Sequence, residues 1–120
     1  MKRILVVEDQ AEIRELIRLT LEIEDWEIHE AGDGPTGLEL ARKVQPALVL
    51  LDVMMPGGLD GYQVCEKLRA DPLTKRAKVV MLTARAQAED RERGMRAGAD
   101  AYLSKPFSPR NLIDTISRLA

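Results

Sequence analysis

The sequence has little cysteine, little histidine and no long apolar run. Cys65 is the only cysteine in 120 residues, which excludes a disulfide framework and a cysteine-based zinc site. His29 is the only histidine. It lies in a segment that alternates apolar and polar residues, which favours an exposed position on an edge strand over a role as metal ligand or phosphocarrier.

Charge and hydropathy exclude further classes of protein. The net charge is -2, so no overall positive field favours nucleic acid. The first apolar run ends at Glu8 and Asp9, too soon for a secretory or membrane-spanning segment. No repeat, linker or low-complexity stretch interrupts the chain. With 45% hydrophobic and 32% charged residues, we expect one soluble, cytoplasmic domain over residues 1–120.

One apolar run leads directly into a carboxylate. Residues 47–51 read ALVLL and are followed by Asp52, and Pro56 and Gly57 then break the chain. A continuous apolar run of this length predicts a strand that is buried on both faces. Because an ionised carboxylate at the end of a buried strand is costly unless positive charge offsets it, Asp52 is the candidate functional centre.

Strand-like and helical segments alternate five times. Strands are predicted over residues 2–7, 26–31, 47–52, 78–82 and 101–104, each followed by a helical pattern. This order predicts an α/β fold with a parallel sheet, right-handed crossovers and helices on both faces. The most apolar strands should be central, and the alternating segment 26–31 should lie at an edge.

Two helices carry more specific predictions. For the first helix, an Asp9 and Glu12 capping box is predicted. Its apolar face is predicted to comprise Ile13, Leu16, Ile17, Thr20 and Leu21. For the segment 87–97, Ala88 and Met95 are the main apolar residues, and Gly94 lowers helix propensity by roughly 1 kcal/mol relative to alanine. We therefore expect a marginal fourth helix that can move.

Five polar residues stand at the carboxyl ends of predicted strands: Glu8 and Asp9 after the first, Asp52 at the end of the third, Thr83 after the fourth and Lys105 after the fifth. The carboxyl ends of parallel strands share one edge, where ligands bind in such sheets. Three carboxylates there repel one another, and a hard cation such as Mg²⁺ relieves the repulsion. A lysine and a threonine beside them can receive an anion. The set is typical of phosphoryl transfer, with a carboxylate as nucleophile.

The chain resembles the receiver domain of two-component response regulators (CheY-like) over its whole length. The matching motifs are Glu8-Asp9, Asp52 followed by Met55-Pro56-Gly57, Thr83-Ala84 and Lys105-Pro106-Phe107. Each motif is weak alone, but their joint occurrence at predicted strand ends is specific. The resemblance implies a flavodoxin-like (βα)5 three-layer sandwich with strand order 2-1-3-4-5 and a single receiver domain spanning residues 1–120.

The resemblance also implies a role for each acidic residue. Asp52 is the phosphoacceptor, which takes a phosphoryl group from a sensor histidine kinase or a phosphotransfer protein. Asp9 and Asp52 ligate Mg²⁺, with Mn²⁺ as an alternative, and Glu8 acts mainly through water. The backbone carbonyl of Met54 supplies a further metal ligand. A downstream effector protein, or an output domain outside this chain, would receive the signal.

The remaining implied roles concern the switch. Thr83 hydrogen-bonds one phosphoryl oxygen and Lys105 pairs with another, and the peptide between Lys105 and Pro106 is cis. Tyr102 is the aromatic residue that moves inward with Thr83. Phosphorylation then changes the face formed by the fourth helix, fifth strand and fifth helix. Self-catalysed phosphorylation and dephosphorylation are implied, without turnover of an external substrate.

Each of these residues also has a simpler interpretation. Asp9 is suited to capping a helix, Thr83 to ending a strand and Lys105 to an exposed surface. Aromatic residues such as Tyr102 suit edge strands in any case. For the first three, the simple interpretation would require several independent coincidences at one edge of the sheet.

The chain departs from the family pattern in one loop. Gly58 and Leu59 separate Pro56-Gly57 from Asp60-Gly61, which makes the loop one residue longer, and Gly58 can adopt positive φ. The positions two past Asp52 and two past Thr83 resemble those that tune phosphoryl lifetime in the family, and here they are Met54 and Arg85.

Three other functions compete with the switch as interpretations of the sequence. A phosphatase-type hydrolase with an aspartate nucleophile usually carries a second carboxylate two residues later, where this chain has Met54. A flavin-binding electron carrier of the same fold needs a phosphate-binding loop after the first strand, whereas residues 8–12 read EDQAE. A degenerate, unphosphorylated interaction module is disfavoured because every site residue is present.

Overall fold

The fold alternates five strands with five helices. The computed structural model describes residues 2–55, 58–84 and 88–119. The strands are β1 (Lys2–Val7), β2 (Trp26–Ala31), β3 (Leu48–Asp52), β4 (Lys78–Thr83) and β5 (Ala101–Ser104). The helices are α1 (Ala11–Leu21), α2 (Gly34–Val44), α3 (Gly61–Ala70), α4 (Ala88–Ala97) and α5 (Pro109–Leu119). Within the described ranges, no helix is long and apolar enough to cross a bilayer.

The five strands form one parallel sheet in the order β2-β1-β3-β4-β5. This confirms the flavodoxin-like order that the resemblance implied. β3 is buried at all five positions, whereas β2 is partly exposed along most of its length. The continuous apolar run therefore marks a central strand and the alternating one an edge strand, as predicted.

The sheet has a separate hydrophobic core on each face. Along β1, Leu5 and Val7 belong to the core beneath α2, α3 and α4, whereas Ile4 and Val6 belong to the core beneath α1 and α5. Successive strand residues point to opposite faces, so a strand covered on both sides must be apolar at every position. This alternation also decides which face each residue at the strand ends occupies.

Three details of the helices differ from the sequence prediction. The N-cap of α1 is Gln10, without a side-chain cap, so the predicted Asp9 and Glu12 capping box is wrong. Leu16, predicted to be inward, is 39% exposed. In α4, the predicted apolar residues Ala88 and Met95 are exposed.

The buried contacts of α4 come instead from Gly94 and Ala97. A Cβ atom at Gly94 would lie 2.6 Å from Cε2 of Tyr102 and 3.1 Å from Sδ of Met81. Glycine therefore allows α4 to approach the sheet closely, and helix propensity alone could not reveal this requirement.

Local features define the helix ends and loops, and the positive φ predicted for Gly58 is confirmed. Asp33 and Asp60 cap α2 and α3 by accepting backbone hydrogen bonds, and Asp60 forms a capping box with Gln63. Gly58 and Gly98 adopt positive φ, at 97° and 108°. The predicted chain break at Pro56 and Gly57, and the predictions for Arg85 and Gln87, lie outside the described residues.

Gly61 permits the close contact between α3 and the end of β3. A Cβ atom there would lie 2.4 Å from the carbonyl oxygen of Asp52 and 2.7 Å from Cα of Val53. Both neighbours are backbone atoms, so a side chain could be accommodated only by moving the strand end. The Gly61 N–H also donates to the carbonyl oxygen of Val53 at 2.9 Å.

We predict that Gly61→Ala lowers the free energy of unfolding by about 2 kcal/mol or more, because overpacking against backbone forces a shift. Gly32→Ala is the matched control, since its new Cβ would meet only Nη1 of Arg14, at 3.5 Å. Urea denaturation of both variants tests the prediction. Equal stability of the two variants would contradict it.

Candidate functional site

The predicted site residues lie at the carboxyl edge of the sheet. Glu8 directly follows β1, and its N–H donates to the carbonyl oxygen of Ala31 at 3.0 Å. Asp52 ends β3 and Thr83 ends β4. Lys105 directly follows β5. The sequence prediction that these residues share one edge is therefore confirmed.

Strand alternation divides this edge into two faces. Glu8, Asp52 and Lys105 continue the positions of Val6, Leu50 and Leu103, which face the core beneath α1 and α5. Thr83 continues the position of Met81, on the face covered by α3 and α4. Tyr102 packs against that second core.

Three carboxylates converge at this edge of the sheet. Glu8, Asp9 and Asp52 each offer an oxygen atom, and these atoms all lie within 4.8 Å of one another. Glu8 is fully buried and Asp52 is 2% exposed, whereas Asp9 is exposed. Burying like charges so close together is unfavourable unless positive charge compensates.

Lys105 supplies part of that compensation. Its Nζ lies 2.5 Å from Oε1 of Glu8 and 3.3 Å from Oδ1 of Asp52. Its backbone N–H donates to the carbonyl oxygen of Thr83 at 2.7 Å. The peptide to Pro106 is cis, as the resemblance implied. The ammonium group thus bridges two carboxylates that come from different strands.

The carboxylate of Glu8 is held in place by further bonds. Its Oε2 accepts the backbone N–H of Gln10 at 3.2 Å. Nη1 of Arg14 donates to the carbonyl oxygen of Glu8 at 2.6 Å. The sequence analysis pairs Lys105 with a phosphoryl oxygen, and it misses this close ion pair with Glu8. Only the tertiary structure brings together two residues that are 97 positions apart.

The electrostatics of the site are dominated by Asp52. Burial and then the neighbouring Glu8 raise the pKa of its carboxyl group to about 8, against the opposing charge of Lys105. Its Oδ1 accepts the N–H of Met54 at 3.2 Å. Partial burial acts to raise the pKa of Asp9, but hydrogen bonds with Glu8 and Asp52 outweigh burial, and the pKa lies below its ordinary value. Negative charge is therefore in excess at this edge.

Such a donor set fits a hard divalent cation. All three side chains offer carboxylate oxygens, the ligands that Mg²⁺ prefers, and the excess negative charge favours a cation. The side chain of Met54, two residues beyond Asp52, is 59% exposed. It adds no carboxylate to the cluster.

Tyr102 has a partner that sequence reasoning missed. Its hydroxyl lies 2.8 Å from that of Tyr62, a buried residue in the first turn of α3. Tyr62 precedes Cys65 by three residues, so helical spacing places it on the buried face that also carries Cys65. That spacing was the signal available in the sequence.

The whole chain matches known receiver domains. The family model for the response regulator receiver domain matches residues 4–117. The phosphate regulon transcriptional regulatory protein PhoB of Escherichia coli is 45% identical over 115 residues. That match covers 96% of this chain and 50% of PhoB, so the chain spans about half the length of this relative.

Solved structures agree with this match. The chemotaxis protein CheY4 of Vibrio cholerae is similar with a TM-score of 0.94 and 31% identity, over 100% of this chain and 99% of that one. The receiver domain of the sensor histidine kinase PA1611 of Pseudomonas aeruginosa has a TM-score of 0.89 and 30% identity, over 98% and 96% of the two chains. That structure holds a magnesium ion in its active-site cleft. On its sequence, its fold and its acidic pocket, the chain belongs to the response regulator receiver domain family.

Proposed function

We propose that this protein is a phosphorylation-controlled switch in which Asp52 accepts a phosphoryl group from a phosphohistidine. The observation that carries the proposal is the cluster of Glu8, Asp9 and Asp52 within 4.8 Å, with Lys105 against its buried side. The family provides the phosphoacceptor role. The protein acts as a regulator with self-catalysed phosphorylation and dephosphorylation.

Asp9 and Asp52 would hold Mg²⁺ or Mn²⁺ directly, with Glu8 acting through water and the Met54 carbonyl as a further ligand. When bound, the cation neutralises negative charge on the carboxylates and on the incoming phosphoryl group. The exposure of Asp9 and burial of Glu8 agree with this division, since a solvent-facing carboxylate is accessible to an entering ion.

The transfer forms one bond and breaks one. A carboxylate oxygen of Asp52 attacks phosphorus, and the phosphorus–nitrogen bond to the donor imidazole breaks, with the electron pair leaving on nitrogen. Lys105 is 3.3 Å from Oδ1 of Asp52, close enough to pair with a phosphoryl oxygen there. The hydroxyl group of Thr83 donates to another oxygen. Burial of Asp52 limits the access of water, which would otherwise hydrolyse the acyl phosphate.

The sheet connects this chemistry to a distant surface. Thr83 pairs with Ser104, and Met81 pairs with Tyr102, so Thr83 is a diagonal neighbour of Tyr102 on the face that α3 and α4 cover. Movement of Thr83 toward the phosphoryl group would leave space that Tyr102 can enter. The surface formed by α4, β5 and α5 would then change, which is a local electrostatic event with a global readout.

A sensor histidine kinase or a histidine phosphotransfer protein is the proposed donor, and the proposed setting is the cytoplasm. The receiver of the signal is an effector protein or an output domain. PhoB is a transcriptional regulatory protein about twice as long as the segment it shares with this chain. Contact with nucleic acid would therefore belong to another domain, because the net charge of this chain is -2.

We predict that a small phosphodonor with Mg²⁺ labels the wild-type protein with an acid-stable, base-labile acyl phosphate. Asp52→Asn should abolish the label, because an amide oxygen is a poor nucleophile. Mass spectrometry of the protein before and after treatment with mild base measures the label. Equal labelling of the variant would contradict the assignment, and steady turnover of the donor without a labelled protein would favour the hydrolase.

We predict that Mg²⁺ stabilises the wild-type protein and raises its thermal unfolding midpoint. At a Mg²⁺ concentration 100 times the dissociation constant, the free energy of unfolding should rise by about 2.7 kcal/mol. Asp9→Asn should weaken Mg²⁺ affinity about tenfold or more, since even groups that only orient metal ligands have effects of that size. The exposed Asp114 provides the control Asp114→Asn, which removes the same charge outside the cluster. A thermal-shift titration with Mg²⁺ tests both. The prediction fails if the two variants bind equally well.

We predict that the metal-free protein loses stability as pH rises. The pKa of Asp52 is about 8 in the folded protein, above its ordinary value of 3.8, so the folded state holds this proton more tightly than the unfolded state. The stabilisation that results is fully present below pH 3.8 and is lost as the pH rises through about 8. The slope should reach about 1.4 kcal/mol per pH unit. Urea midpoints in EDTA at several pH values measure it. Asp52→Asn should flatten the dependence, and an unchanged slope in that variant would refute the linkage.

A further inference from the structure

Tyr62 and Tyr102, which we call the tyrosine pair, form a partly buried hydrogen bond between α3 and β5. Their hydroxyl oxygens are 2.8 Å apart. The Tyr62 hydroxyl also donates to the carbonyl oxygen of Asp90 in α4, at 3.4 Å. Because a hydroxyl has one proton, this arrangement makes Tyr102 the donor within the pair. The two hydroxyls therefore link α3, α4 and β5 in one chain of hydrogen bonds.

At one end of these hydrogen bonds, Tyr62 is held close to the end of β3, the strand that carries Asp52. Tyr62 directly follows Gly61, whose N–H donates to the carbonyl oxygen of Val53 at 2.9 Å. The absent Cβ of Gly61 leaves its backbone in close contact with the carbonyl group of Asp52. A displacement of the β3 end would therefore displace the first turn of α3, and with it the Tyr62 side chain.

The other end lies against the surface that is expected to switch. The Tyr102 ring packs against Gly94 so closely that a Cβ atom there would lie 2.6 Å from Cε2. The guanidinium group of Arg93 covers the Tyr62 ring, 4.2 Å from its centroid. Nη2 of Arg93 also lies 3.9 Å from Oδ2 of Asp60. Consecutive residues of α4 thus contact both members of the tyrosine pair.

We propose that Tyr62 is a positioning residue of the switch, which holds Tyr102 and α4 in a defined place relative to the strand end that carries Asp52. This inference rests on the proposed function. A hydrogen bond made in only one of two conformations biases the equilibrium between them by its net free energy, which corresponds to about a fivefold change in population. Removing the Tyr62 hydroxyl should therefore alter how readily a ligand at Asp52 shifts the conformation of α4.

Beryllofluoride with saturating Mg²⁺ is the probe, since it mimics a phosphoryl group on a carboxylate. The midpoint of its titration is read from the backbone amide signals of α4 by NMR. The variants are Tyr62→Phe, Tyr102→Phe and the double variant, which keep both rings and remove only hydroxyls. Thr74→Val is the matched control, because it removes a buried hydroxyl bond to α3, from Oγ1 of Thr74 to the Leu68 carbonyl, outside the tyrosine pair.

We expect both single variants to shift the midpoint in the same direction, about fivefold in Tyr102→Phe and at least as far in Tyr62→Phe, which also loses the bond to the Asp90 carbonyl. The double variant should shift the midpoint no further than Tyr62→Phe, because the bond within the tyrosine pair is shared. A lower midpoint would mean that the hydrogen bond of the tyrosine pair forms in the unphosphorylated conformation, and a higher midpoint that it forms in the phosphorylated one. Either result supports the proposal. Thr74→Val should change the unfolding free energy and leave the midpoint unchanged.

An unchanged midpoint in Tyr62→Phe, or additive shifts in the double variant, would overturn the inference and leave the proposed function intact. A shift of the same size in Thr74→Val would also overturn it, since the effect would then reflect general stability. If beryllofluoride produces no change in the wild type, or the same change in Asp52→Asn, the proposed function fails and this inference fails with it.

Discussion

The close approach of buried carboxylates at one strand edge is the constraint on which the rest of this structure depends. Glu8 and Asp52 are almost inaccessible to solvent and lie beside Asp9. Isolated like charges would not remain ionised in such a place. Lys105 offsets part of the charge at 2.5 and 3.3 Å, and the remaining negative charge suits a divalent cation.

The strands that form this charged edge are tightly packed, whereas the contacts of α4 with the sheet are few. β3 and β4 are buried on both faces, and Gly61 brings α3 into contact with the backbone of Asp52. By contrast, α4 contacts the sheet through Gly94 and Ala97 and carries exposed charges around them. A helix with so little buried apolar surface is suited to a small change in position.

Strand alternation distributes the residues of the site between the two faces of the sheet. The Glu8, Asp52 and Lys105 side chains follow one face of the sheet, whereas Thr83 and Tyr102 follow the other. Because Thr83 ends β4, it lies on the strand next to the one that carries Asp52. The tyrosine pair links β5 to α3 and α4.

The sequence by itself determined the order of elements, the central and edge strands, and the set of residues at the carboxyl edge, because alternation and apolar runs are local properties. The strand order came from the resemblance. Only the tertiary structure decided that Lys105 pairs with Glu8, that Tyr62 bonds Tyr102, and that Gly94 is a packing residue. The two bonded pairs join positions 97 and 40 residues apart, and the geometry of all these contacts depends on how helices and strands pack, which no local pattern encodes.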